Sequence, residues 1–180
     1  IEKVENILNK LVNQEKIIKF STGKIASYLH KQNYNDLIQE TIDILNEFHN
    51  QFSLRRGLPK EELREKISVD MNKREFDEFI ADLEERKTVK LEKAKLALYD
   101  FEIEYNSEEK EIKEKIVDIF KDNYMPPTKE QVIEKINKNE ETVKEVFASV
   151  TQGEQFIKVE HNIFFYRKVV EEAKDQLKNY

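Results

Sequence analysis

The sequence predicts a mainly α-helical fold with small β-hairpins (α+β), built as tandem winged-helix modules in an elongated arrangement. The order helix, strand, turn, strand occurs three times along the 180 residues, and a short helix after a proline occurs twice. With only three glycines and three prolines, few residues are available for loops. A repeat of about 70 residues that contains three helices and a hairpin is the layout of a winged helix.

The first copy of the repeat begins with a helix that has one apolar face, formed by Val4, Ile7, Leu8 and Leu11. A β-type run at 17–20 follows, then a turn at 21–23 and a second β-type run at 25–29. We therefore expect a helix and a hairpin, which together make the second half of a winged helix.

The same order returns in two further copies. The second places short strands at 89–91 and 96–99 after a helix with apolar positions at Phe76, Phe79, Ile80 and Leu83. The third places strands at 156–159 and 163–166 after a helix with apolar positions at Val143, Val146, Phe147 and Val150. The first strand of each copy has a lysine between two apolar residues, and the spacings of these lysines are 71 and 68 residues: Lys19, Lys90 and Lys158.

Two more helices precede each of these later copies. The segment 60–67 resembles the segment 129–136, which lies 69 positions further on, and the two segments follow Pro59 and Pro127. A longer amphipathic helix comes before each of them. The resulting division is the C-terminal half of a module at 1–33, complete modules at 34–105 and 106–168, and a helix at 169–180 that leads to a missing module.

The junctions between the predicted modules contain no flexible linker. We expect each hairpin to run directly into the next long helix, which would make the array a stiff rod. Both ends look cut, so the sequence indicates a fragment of a longer protein.

Composition narrows the function classes. The chain has 31 basic and 37 acidic residues, a net charge of −6, whereas a sequence-independent nucleic-acid binder is expected to carry a basic patch. The absence of cysteine excludes disulfides and thiolate metal sites. Because no uncharged run is long enough for a membrane helix and no signal peptide opens the chain, we expect a cytoplasmic protein without membrane association. We also expect a monomer.

The sequence offers no catalytic site. The three histidines, His30, His49 and His161, lie far apart and lack metal-ligand spacing. No glycine-rich phosphate loop, nucleophile elbow or HExxH motif occurs. We therefore expect a non-enzyme without a cofactor, in which His49 packs or caps near a helix end and His161 lies in the turn at the tip of a wing.

The helix that would enter a DNA groove is acidic in both complete modules. The segment 72–87 has a net charge of −2 and the segment 139–154 has a net charge of −3. Phosphates would be repelled by both helices, which argues against groove reading.

Basic residues cluster elsewhere. Arg55 and Arg56 lie in a bend, where we expect them to be solvated and paired with Glu61 or Glu62. Around the last hairpin, five basic side chains are candidates for contact with an RNA phosphate backbone: Lys158, Arg167, Lys168, Lys174 and Lys178. The alternative for these five is a solvated charged face.

Aromatic side chains are the other candidates for RNA contact, because they can stack on bases. Their helical or alternating spacing is typical of a core, and we assign them to packing: Phe52, Phe101, Tyr105, Phe120, Tyr124, Phe164, Phe165 and Tyr166. The segment 124–127 is expected to staple the start of a helix.

The connector from Phe48 to Arg64 reads as a helix end, a tight turn and a new helix start. Gly57 permits the turn and Pro59 suits the start of a helix. The stretch resembles a signature of the selenocysteine-specific elongation factors, the SelB family, in the winged-helix arm. Ser53 and Arg56 depart from that signature, and the matching residues are Phe48, His49, Leu54, Arg55, Gly57, Pro59, Lys60, Glu61, Glu62, Leu63 and Arg64.

The resemblance implies a non-catalytic fragment of a translation factor. SelB-like factors deliver selenocysteyl-tRNA to the ribosome, use GTP in an N-terminal body and hold an mRNA hairpin with the last winged helix. This chain would be the rigid arm between body and tip, with weak or no RNA binding of its own. It would reach the mRNA hairpin and the ribosome through the parent protein. A protein–protein interaction scaffold and a fragment of a DNA-binding transcription factor stay open as alternatives.

Overall fold

A computed structural model describes residues 2–20, 26–160 and 162–178 of the chain. It divides into two compact units, Ile1–Glu102 and Ile103–Tyr180. The predicted mainly helical fold with small antiparallel hairpins is confirmed. The turn predicted at 21–23 and the position predicted for His161 lie outside the described residues, and the division into modules at 33, 105 and 168 stays a prediction.

The first unit contains four helices and five strands in its described part, and β3 and β4 both pair with β5, in the order β3-β5-β4. The order from α2 to β5 is that of a winged helix. The elements are α1 Glu2–Asn13, β1 Ile17–Phe20, β2 Ser27–His30, α2 Lys31–Gln51, β3 Leu58–Pro59, α3 Lys60–Lys66, α4 Lys73–Glu85, β4 Val89–Glu92 and β5 Lys95–Leu98.

The second unit repeats three helices and a hairpin and then adds a helix. The two strands pair antiparallel, with a register shift between Lys158 and Glu160. The elements are α5 Ser107–Phe120, α6 Lys129–Lys135, α7 Glu140–Thr151, β6 Phe156–Glu160, β7 Ile163–Tyr166 and α8 Arg167–Lys178. The buried hydrophobic residues of its described part are Ile112, Ile116, Phe120, Val132, Ile136, Val143, Val146, Phe147, Val150, Phe156 and Val169.

Local sequence explains where these helices begin. Asn72 and Glu75 form a capping box at α4, in which the side chain of each accepts a hydrogen bond from the backbone N–H of the other. Asn106 and Glu109 do the same at α5, and Thr128 caps α6 together with the residue three places on. Such caps satisfy N–H groups that have no partner within a helix.

The apolar core of the first unit includes the first hairpin as well as the winged helix. Phe20 of β1 lies 6.2 Å from the ring of Tyr34, and Tyr34 meets Phe79 edge-on at 5.6 Å. The Ser27 hydroxyl also donates a hydrogen bond to Glu75 at the start of α4. Hairpin β1–β2 therefore packs on α2, the first helix of the winged helix, and also contacts α4, the third helix, through Ser27.

The buried face predicted for α1 is wrong at two positions. Val4 and Ile7 are each 59% exposed, and Leu8 and Leu11 are only half-buried. In α4 the comparable residues share a core with α2 and α3. In α1, by contrast, no described element covers Val4 and Ile7.

The lysines that aligned the predicted strands do not occupy equivalent positions. In each hairpin, the first residue of the first strand is paired with the last residue of the second strand. Ile17 is thus opposite His30, and Val89 is opposite Leu98. Counted from these residues, Lys19 and Lys158 are third in their strands and Lys90 is second. The lysine alignment was therefore wrong by one residue in the second copy.

The prediction of direct hairpin-to-helix junctions is correct in two places and wrong in one. Helices α2 and α8 begin directly after β2 and β7, but residues 99–106 lie between β5 and α5 without helix or strand. Part of this segment is fixed to the first unit, because Lys90 Nζ donates to the Phe101 carbonyl at 2.6 Å.

The predicted packing of the segment before α6 is wrong at Tyr124 and Met125, whereas Pro127 is buried. Tyr124 is 53% exposed and Met125 is 87% exposed. Thr128 caps the helix through its side chain, so the helix start does not depend on an apolar staple.

Candidate functional site

The connector after α2 lies directly on the wing of its own winged helix, which is the hairpin formed by β4 and β5. Leu58 pairs with Leu96 of β5, and the Lys60 N–H donates to the Ala94 carbonyl at 3.0 Å. A Cβ atom on Gly57 would lie 2.5 Å from the carbonyl oxygen of Leu96. Glycine is therefore needed here because the two backbones approach closely.

His49, in the last turn of α2, fixes the other end of this contact. Its Nε2 atom accepts a hydrogen bond from the Leu98 N–H at 3.3 Å, and its ring stacks on Phe101 at 3.5 Å. Burial, and secondly the charge of Lys90, lowers the pKa of His49 to about 4. At neutral pH His49 is thus an uncharged acceptor that packs within the domain.

Other residues of the connector pack as well. Leu63 is fully buried, and Phe48 lies 5.2 Å from the ring of Phe52. Pro59 occupies the position just before α3. The role of this group as a structural signature, with Arg55 and Gly57, stays a prediction.

The ion pairs predicted for the two arginines are wrong. Arg55 lies over the ring of Phe52, 4.0 Å from its centroid, and Arg56 approaches Glu92 of β4 at 4.0 Å. Glu61 and Glu62 pair instead within α3, with Arg64 and Lys66, because residues three and four apart are neighbours on a helix.

The five residues predicted to contact RNA lie on one hairpin strand and on α8. Lys158 is exposed on β6, and Arg167 donates to the Glu154 carbonyl at 2.6 Å. Lys168 and Lys178 face carboxylates of α8 at 3.6 Å, and Lys174 is exposed. Helix α8 carries four basic and three acidic residues, so its charge is nearly balanced. A role in RNA binding stays a prediction for all five.

The third helices are acidic in the folded protein too. In α4, Lys73 and Arg74 are outnumbered by six carboxylates. Asp82 accepts a hydrogen bond from the Tyr34 hydroxyl and one from Arg86 Nε, both at 2.5 Å. This network and the hairpin contact at Glu75 occupy polar groups of α4 with intramolecular partners.

The described ranges also lack a metal-binding cluster and a membrane-spanning helix. No group of three or more histidine or acidic residues is placed to hold a metal ion there. None of the helices in those ranges is both long enough and apolar enough to cross a membrane.

The comparison with known families identifies the first winged helix. Residues 42–98 match the family described as elongation factor SelB, winged helix. This segment is a SelB winged-helix domain. The match runs from the second half of α2 to the end of β5 and includes the whole connector. The resemblance drawn from the connector is thereby confirmed, and a comparison with curated proteins gave no match.

A SelB winged helix is a translation-factor module, and winged helices are typically non-catalytic. In the matched segment, His49 and Gly57 of the connector contact Leu98 and Leu96 of β5. Sequence reasoning missed these pairings because they join residues about 40 to 50 positions apart. The glycine followed by a proline was the one local signal available.

The tip of the SelB wing carries backbone strain that a substitution can relieve. Lys93 and Ala94 form a two-residue turn between Glu92 and Lys95, with φ values of 48° and 64°. Such turns favour glycine or asparagine. Ala94→Gly is therefore expected to raise the free energy of opening, measured by native-state hydrogen exchange in α4, by about 1 kcal/mol.

Ala81→Gly is the matched control for this prediction. Ala81 is exposed within α4, where glycine costs about 1 kcal/mol relative to alanine. The two substitutions should shift stability in opposite directions. A loss of stability in both variants would contradict the assignment of strain to the wing tip.

Proposed function

We propose that this chain is a non-catalytic arm of a SelB-like selenocysteine-specific elongation factor. In this role it joins the body that binds GTP and tRNA to the tip that holds an mRNA hairpin. The match of residues 42–98 to a SelB winged helix is the observation that supports this role. The mRNA hairpin and the ribosome are then partners of the parent protein, which works in the cytoplasm.

The surface chemistry agrees with a connecting role. The helix that would read a groove is acidic and partly occupied by intramolecular contacts. The residues of the SelB signature with the most specific contacts, His49 and Gly57, hold the connector against β5. The proposed arm acts as a monomer and uses no cofactor of its own.

Deletion of residues 42–98 from the full-length factor tests this proposal. The expected result is a strong loss of hairpin-dependent decoding of UGA as selenocysteine. GTP hydrolysis should stay unchanged, because the body that binds GTP is left intact. Unchanged decoding after the deletion would refute a connecting role.

A protein–protein interaction scaffold is the second candidate. It is favoured by the exposed pair Tyr124 and Met125 in the second unit, since exposed aromatic and methionine side chains are enriched at interfaces. A Tyr124→Ser/Met125→Ser variant that loses a specific protein partner, with decoding intact, would favour this candidate over the first.

A further inference from the structure

Four basic residues lie on the connector and on the wing of the SelB domain, and we call them the wing cluster: Arg55, Arg56, Lys93 and Lys95. The pairing of β3 with β5 sets Lys95 opposite Pro59, so the connector runs beside the wing tip. Arg56 also approaches Glu92 of β4 to 4.0 Å, so the connector lies near both strands of the wing. Residues nearly 40 positions apart in the sequence thus share one small surface.

The wing cluster is strongly positive in an acidic chain. Besides the four cations, the segments 54–60 and 92–95 contain two charged residues, Lys60 and Glu92. Lys60 pairs with Asp77 of α4 at 2.6 Å and is left out of the count. The remaining four cations and Glu92 give a net charge of +3, against −6 for the whole chain. Glu61 and Glu62, the nearest other carboxylates in sequence, already pair on α3.

Three of the four cations, Arg55, Arg56 and Lys93, are only weakly neutralised by the protein. Arg55 and Lys93 are exposed, and no described carboxylate lies within 4.0 Å of either. Arg56 makes only its long contact with Glu92, and within the described part of the chain its Nε atom is buried without a hydrogen-bond partner. Ion pairs this long and exposed contribute little.

The cluster is also held in place before any ligand binds. Arg55 is fixed over Phe52, and the close approach of Gly57 to Leu96 fixes the backbone that carries both arginines. Burial, and secondly the charges of Arg55 and Arg56, lowers the pKa of Lys95. An anion bound here would relieve this mutual repulsion and would meet donors that are already positioned.

We propose that the wing cluster binds the phosphate backbone of RNA without reading its sequence. Arginine guanidinium groups suit phosphate oxygens because they can donate two parallel hydrogen bonds. Several adjacent cations match the regular spacing of charge along a nucleic-acid backbone. The choice of RNA over other polyanions rests on the proposed function, since a SelB-like arm works beside mRNA and ribosomal RNA.

The test is a binding titration of a fluorescently labelled RNA hairpin with the full 180-residue chain. Affinity is measured by anisotropy between roughly 50 and 200 mM salt. The expected result for Arg55→Gln/Lys93→Gln is an affinity about tenfold lower at the lowest salt. The slope of log K against log salt should decrease in magnitude by about 1.8, because two phosphate contacts are lost.

Two further variants control for net charge and for folding. Lys10→Gln/Lys16→Gln removes the same charge from exposed positions near α1 and should bind like the wild type. Arg55→Lys/Lys93→Arg keeps both charges and should retain affinity within about twofold. Thermal melts show whether each variant is folded.

Several results would overturn the inference. The first is that the wild type does not bind RNA, and the second is that both charge-removing variants lose RNA affinity equally. The third is that affinity falls only in a further variant on α8, Lys174→Gln/Lys178→Gln. Competition by polyglutamate as effective as that by RNA would point to an acidic protein partner and would also overturn it. A rigid replacement of residues 42–98 that lacks the wing cluster keeps the connection and removes the RNA contact, so the connecting role and the RNA contact can fail separately.

Discussion

Gly57→Ala is expected to lower the free energy of opening of the SelB winged helix by about 2–3 kcal/mol, as overpacking does in a tight site. The added Cβ would lie 2.5 Å from the Leu96 carbonyl oxygen and 2.8 Å from its carbonyl carbon. Both atoms belong to the backbone of β5, which cannot move without breaking its pairing with β4. Native-state hydrogen exchange of the α4 amides measures the loss.

Ser53→Ala is the control for this substitution, because Ser53 is exposed in the same connector. Its effect should stay within about 0.5 kcal/mol, as at most surface positions. If Gly57→Ala were as mild as Ser53→Ala, the connector would not be pressed against β5 in the way described.

His49 is expected to make the stability of the SelB domain depend on pH between 6.5 and 4. In this range the unfolded chain, with an ordinary pKa of 6.5, binds a proton that the folded protein, with a pKa of about 4, does not. The contribution of His49 to the free energy of unfolding is therefore fully present above pH 6.5 and is lost as the pH falls towards 4. The shift corresponds to a total loss of roughly 3 kcal/mol.

His49→Gln separates this effect from the titration of carboxylates. Glutamine can still accept a hydrogen bond from Leu98 N–H but does not titrate. The variant should be less stable than the wild type at pH 7 because the stacking on Phe101 is reduced. Its stability should vary less with pH than that of the wild type from pH 6.5 to 4, and equal pH dependence in the two proteins would refute the account of His49.

Much of the fold could be predicted because its signals are local. Helical spacing at Val143, Val146 and Val150 located α7, and Gly57 with Pro59 located the start of α3. The exposure of Val4 could not be predicted, because spacing indicates an apolar face but not whether another element covers it.

The candidate site was less accessible to sequence reasoning than the fold. The RNA contacts predicted around α8 rest on basic residues that are near in sequence, whereas the wing cluster depends on the pairing of β3 with β5. The arginines of the connector were assigned to Glu61 and Glu62, their nearest carboxylates in sequence. Helix α3 turns those carboxylates towards Arg64 and Lys66, and only strand pairing brings Arg56 to Glu92.

The most direct test of a connecting arm is a replacement of residues 42–98 within the full-length factor. One replacement is an unrelated rigid winged helix of the same size without the wing cluster, and the other is a flexible glycine-serine linker of similar span. UGA decoding is measured with GTP hydrolysis and hairpin affinity as controls. The account predicts that the rigid replacement restores most decoding and the flexible linker little, whereas equal decoding with both would contradict it.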